Sequence, residues 1–155
     1  MKNIVFVIAL VLLSSSGFSQ KVNFSGTWNL NTEKSEMGDE FSLAPNSIIL
    51  DHSKKVIDVE KNGEFQGQSY TTNDHFTLDG VECENPGWMG ALKTSTATWD
   101  KKTKVLKISS IIPMEDGSEV VIIEEYVMNG DNLVIETSAA SDYGEMVERF
   151  VFEKQ

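Results

Sequence analysis

Asn23-Phe24-Ser25-Gly26-Thr27-Trp28-Asn29-Leu30 is the stretch whose reading decides the fold. Phe24, Gly26, Trp28 and Leu30 alternate with Ser25, Thr27 and Asn29, which is the period of a strand buried on one face. A glycine beside a tryptophan in such a strand admits the close approach of another group. From residue 47 onward the chain continues in the same manner, as β-rich runs broken by turn residues. Runs at 47–51 and 56–61 flank His52-Ser53-Lys54-Lys55. Lys61-Asn62-Gly63-Glu64 carries the Asn-Gly hairpin signal, and Asp79-Gly80 a second one between runs at 65–78 and 81–84. Asn85 to Gly90 reads as a loop; runs at 91–99 and 104–112 flank Lys101-Lys102. The strongest run, 119–128, turns at Asn129-Gly130 into 133–139, and 146–153 closes the chain. No stretch holds helical periodicity over three turns. The pattern predicts an all-β fold, an antiparallel up-and-down meander of eight to ten strands. A barrel is favoured over a two-sheet sandwich because closure removes exposed edges.

Phe24-Ser25-Gly26-Thr27-Trp28 resembles the first strand of the calycins, the superfamily of lipocalins and fatty-acid-binding proteins, and the chain is similar to an exported bacterial lipocalin-like domain. In calycins a Gly-x-Trp opens the barrel and a basic residue on the last strand covers the Trp. The chain has one arginine, Arg149, six residues from its end. The resemblance therefore implies a latch of Gly26, Trp28 and Arg149, and a barrel that holds a small hydrophobic or amphipathic molecule. Fatty-acid-binding proteins grip the carboxylate with Arg-x-Tyr; here Phe150 and Val151 follow Arg149, so the tyrosine is missing. Residues 32–46, where those proteins carry two helices, are polar and interrupted by Gly38 and Pro45. A lid loop fits better than a helix pair.

Residues 1–19 read as a cleavable signal peptide. Lys2 precedes an apolar run from Ile4 to Leu13, and Gly17-Phe18-Ser19 forms the cleavage site before Gln20. Ten apolar residues fall short of the roughly 20 that a membrane span needs. An exported protein, periplasmic or secreted, is expected. Removing 19 of 155 residues leaves a single domain of 136, with 12 basic against 24 acidic side chains. That surface argues for solubility and against nucleic acid or anionic membranes as partners. Cys83 is the single cysteine, so no internal disulfide forms. Two histidines and one cysteine without ligand spacing give no metal signal, and no cofactor motif is present.

Side-chain direction follows from the turns. Around Asp79-Gly80 the hairpin register would place Leu78 against Val81 and Phe76 against a buried Cys83, with His75 beside Glu84 on the outside. Around Asn129-Gly130, Val120, Ile122, Tyr126, Met128, Leu133, Ile135 and Ala139 share the inner face. Glu124 is on it too, as the one acid expected inside. It pairs with Arg149 or reaches water at the rim. In a meander successive connections alternate between the two ends, which here puts the tight turns at 52–55, 79–80, 101–102 and 129–130 at one end and, except for the turn after 61, long loops at the other. Met37, Phe41, Trp88, Met89, Pro113, Met114 and Tyr143 therefore gather at the long-loop end, read as a mouth. The expected ligand contacts are Met37, Phe41, Trp88, Met89, Met114, Glu124 and Tyr126.

Three functions remain open on these grounds. One is an exported binding protein for a small hydrophobic or amphipathic ligand. Another is a protein-binding module or inhibitor of the cell envelope, using the acidic surface and Trp88-Met89. The last is an enzyme on the same barrel, for which no catalytic constellation stands out beyond Glu124 with Tyr126.

Overall fold

The computed structural model describes residues 22–39 and 41–155, apart from the side chain of Met89. The expected leader, residues 1–19, lies outside the described residues. Ten strands follow one another: β1 (Gly26–Leu30), β2 (Ser47–His52), β3 (Val56–Phe65), β4 (Gln68–Thr77), β5 (Cys83–Pro86), β6 (Leu92–Asp100), β7 (Val105–Pro113), β8 (Glu119–Asn129), β9 (Asn132–Ser141) and β10 (Gly144–Lys154). Every pairing is antiparallel, in the order β4-β3-β2-β1-β10-β9-β8-β7-β6-β5. β1 joins the first half to the last through the register Trp28 with Lys154. The result is a nearly closed up-and-down barrel, as the alternation of residues 23–30 implies.

The seam lies between β4 and β5, where no backbone ladder forms among the described residues. Asn85 substitutes for one. Its side chain accepts from the His75 N–H at 2.7 Å and donates to the His75 carbonyl at 3.1 Å. Gly80 N–H reaches across to the Ala97 carbonyl at 3.0 Å. This overturns the expected hairpin at Asp79-Gly80. β5 pairs with β6, not β4; Val81 is 60 % exposed, and Cys83 is half-buried, accepting a hydrogen bond from the Thr77 N–H at 3.4 Å. His75 contacts Asp58 at 2.6 Å on β3 rather than Glu84.

The turn expected at Asn62-Gly63 is also displaced. β3 continues to Phe65, and the turn is Gln66-Gly67, both with positive φ. Gly63 is inside the strand because the Tyr70 ring lies over it. A Cβ there would meet the Tyr70 hydroxyl at 2.5 Å. Here cross-strand packing outweighs local turn propensity.

The core fills the tight-turn end. Phe24, Trp28, Ile48, Ile57, Phe76, Ala97, Leu106, Ile108, Tyr126, Leu133, Ile135 and Phe152 are each at most 1 % exposed. Phe24 stacks on His52 at 5.4 Å and meets Trp99 edge-on at 5.8 Å, and its carbonyl accepts from the Trp28 indole at 2.8 Å. Each such side chain contributes about 1.5–3 kcal/mol when removed from water. The opening stretch thus supplies the plug of the barrel floor as well as its first strand.

The latch is built differently from the expectation. Lys154, not Arg149, lies over Trp28, 5.4 Å from the ring centroid. Gly26, at φ +143°, makes room for it: a Cβ would meet Lys154 Cε at 2.8 Å. Arg149 is an odd residue of β10, on the face opposite Phe150 and Phe152. Its side chain points out toward Glu136 at 3.9 Å.

Candidate functional site

The barrel interior changes character along its axis. On β3 the inner-face residues run Ile57, Val59, Lys61 and Gly63 from the floor toward the long-loop end; on β8 they run Met128, Tyr126, Glu124 and Ile122. Above the apolar floor the strands therefore turn polar at the same height. Lys61 Nζ sits 2.5 Å from Glu124 Oε1, and the Tyr126 hydroxyl makes a long contact of 3.5 Å to the same oxygen. Across the seam, Lys93 Nζ on β6 donates to Asp74 Oδ2 on β4 at 2.8 Å. Ser95 and Ser110 share a hydrogen bond of 2.8 Å. Glu124 is buried as expected, but its partner is Lys61, not Arg149. It is also not the one acid inside: Asp74 and Glu148 are buried with it.

Charge and burial set the protonation of this cluster. Burial alone would lower the Lys61 ammonium, but the negative charge of Glu124 above all outweighs it and holds the group well above its ordinary value. Burial, then the Glu124 charge, pushes the Tyr126 phenol well up, against the pull of Lys61. Burial also raises Tyr70, with Lys61 opposing. At neutral pH Lys61 is a cation, and both phenols are neutral hydrogen-bond donors. One polar atom stands out: Asp74 Oδ1 is buried and has no hydrogen-bond partner among the described residues.

Above the cluster the inner face is sealed only in part. Tyr70, Thr72, Val120, Ile122, Ala139 and Met146 keep part of their surface exposed, whereas Ile112 beside Val120 is sealed at 1 %. The Lys61 and Lys93 side chains keep 20 % and 13 % of their surface exposed. Two hollows are found among the described residues. A recess of about 50 Å³ under the floor is lined by Val22, His52 and Trp99. A groove of about 280 Å³ runs over β2, β3 and β4 past Ile49, Asp51, Glu60 and His75, and Asp74 also borders it.

The segment between β1 and β2 is a loop strap, as expected. Glu148 ties it down from the inner face of β10, with its two carboxylate oxygens accepting from the Gly38 and Leu43 N–H groups, each at 2.9 Å. Met37, Leu43 and Ala44 pack on the core. Phe41, 48 % exposed, meets Phe65 of the next turn edge-on at 6.0 Å. Trp88 is 42 % exposed in the 3-10 turn Trp88–Gly90, which also contains Met89. Met114 is half-buried in a turn closed by its N–H to the Ser118 carbonyl. The Tyr143 hydroxyl donates to Asp116 at 2.5 Å, joining the last two long-end turns. Of the expected contacts, Glu124 and Tyr126 are thus brought together inside. Met37 belongs to the strap, and Phe41, Trp88 and Met114 stand around the rim. Lys61, Asp74, Lys93 and Glu148 were missing from that set, although strand alternation from Val59, Phe76, Ala97 and Phe150 points to all of them.

Among the described residues no cluster of three or more His, Cys, Asp or Glu could hold a metal ion. Nor is any helix long and apolar enough to cross a membrane. No protein-family model matches the chain, and no curated protein matches it in sequence. Solved structures do match in shape. Zebrafish ileal bile acid-binding protein, solved with cholic acid, superposes with a TM-score of 0.57 at 12 % identity, over 85 % of this chain and 98 % of that one. The barrel has a calycin-like fold. Lipid binding protein 8 of Caenorhabditis elegans matches the barrel at 0.54 and 14 % identity, over 85 % and 95 % of the two chains. A secretory abundant heat soluble protein of Ramazzottius varieornatus matches it at 0.56 and 16 %, with the same coverage.

Proposed function

We propose that this calycin-like protein binds a small amphipathic molecule inside the long-loop half of its barrel, and that it does so as an exported protein. The observation that carries the reading is the graded interior: a sealed apolar floor, a charged and hydrogen-bonding belt above it, then part-exposed Ile122, Ala139 and Met146 below the rim. Apolar walls with a few convergent polar groups are what a small-molecule site requires. Phe41, Phe65 and Trp88 supply an apolar approach. The Lys2-led apolar run supports export, and two of the structural neighbours are, by name, bile acid- and lipid-binding proteins. Ala139→Trp tests the site by filling the open half. Isothermal titration with decanoate and 1-decanol should show saturable binding to the wild type and its loss in the folded variant. Binding that survives the plug would place the site elsewhere.

A further inference from the structure

Asp74 is 4 % exposed, and its two oxygens differ sharply. Oδ2 accepts from Lys93; Oδ1 is buried and accepts from nothing among the described residues. A buried carboxylate oxygen without a donor is costly, and a group that supplies the donor recovers that cost on binding. Beside Asp74 the charges are balanced, and Glu148, the third buried acid, is taken up by the Gly38 and Leu43 N–H groups of the strap. Lys61 is paired with Glu124 and Lys93 with Asp74, so the charge of each ammonium is already matched by a carboxylate. An anionic head group would bring a net negative charge into a poorly solvated belt, and a cationic one a net positive charge. A neutral group carrying an O–H adds a donor and no charge.

We propose that the polar end of the bound molecule is a neutral hydroxyl that donates to Asp74 Oδ1, so that the barrel selects neutral amphiphilic alcohols over carboxylates. This rests on the interior binding reading above and adds the head-group class to it. Asp74 acts here as a specificity-determining residue, held in place by Lys93 and by the closure of the seam at Asn85.

The test is head-group selectivity at constant chain length. 1-Decanol, decanoate and decylamine are titrated at pH 8 below their aggregation limits. Decanol is expected to bind about tenfold or more tightly than either ion, the size of one hydrogen bond to a charged acceptor. In Asp74→Asn, whose melting is checked first, that advantage should fall to near unity and decanoate should gain. On the wild type, the Asp74 carboxyl carbon resonance should move with decanol, which needs no variant. Decanoate binding as well as decanol, or a decanol preference unchanged in Asp74→Asn, overturns the inference and leaves interior binding intact. Failure of all three compounds to bind overturns both.

Discussion

Replacing Lys61 by Met removes the cation from the centre of the barrel and leaves Glu124 buried. The Lys61 and Glu124 side chains are 20 % and 11 % exposed and 2.5 Å apart. The carboxylate then retains only the long contact to the Tyr126 hydroxyl. Breaking a buried pair from one side costs about 3–5 kcal/mol. The partial exposure here places the expected loss at the low end, about 3 kcal/mol, or on the order of 10 °C in Tm for a domain of this size. Removing both charges, as in Lys61→Met with Glu124→Leu, should recover most of that loss, because an uncompensated charge rather than a missing attraction is the cost. Sign and pH follow from the raised Lys61. Its contribution is full below the ordinary lysine value of about 10.4 and is lost only as pH rises through the higher folded value. The gap between wild type and Lys61→Met should therefore stay constant from pH 7 to 10 and narrow above. Thermal unfolding followed by far-UV circular dichroism, over the two single variants and the double, reads all of this. A Lys61→Met loss below about 0.5 kcal/mol, the size of an exposed pair, would refute the buried belt.

Asn85→Ala should cost about 1–3 kcal/mol by leaving the His75 N–H and carbonyl without partners, and the His75 amide should exchange faster than its β4 neighbours. Lys154→Ala should lower stability by about 0.5–1 kcal/mol through its contact with Trp28, whereas Arg149→Ala should stay within about 0.5 kcal/mol. The reverse order in chemical denaturation would restore the arginine latch. Asp116 is held at about 2 by the Ser118 hydroxyl first and the Tyr143 hydroxyl next. Tyr143→Phe should move its NMR titration partway back toward the ordinary carboxylate value, because only the second of those donors is lost.

Alternation made the barrel legible from residues 23–30 and from the strands that share their period. Where two apolar residues bracket a position, as around Glu124, the inner face is legible in the sequence. Lys61 was missed because Asn62-Gly63 carries a strong turn signal that the Tyr70 ring overrides, so the strand ran past its expected end. The seam was missed for a related reason. Asp79-Gly80 has hairpin chemistry, but the chain there pairs forward, through Asp79 with Thr98, instead of back. Arg149 was favoured as a lone cation on the last strand, yet the parity set by Phe150 and Phe152 turns it outward and leaves Lys154 to cover Trp28. Glu148 shows what sequence could not supply. Its partners are backbone N–H groups of an irregular strap 105 and 110 residues away, and no pattern announces them.

Methyl NMR of the wild-type protein during titration with 1-decanol or decanoate, whichever binds tighter, tests interior binding most directly. Ile122, Ala139 and Met146 are part-exposed on the inner face above the belt, while Leu106 and Leu133 are sealed in the floor. At saturation the first three methyl sets should shift and show contacts to the ligand chain, with the floor pair nearly unmoved. Shifts confined to outer-face residues such as Ile111 and Val147, with the inner set silent, would contradict the account.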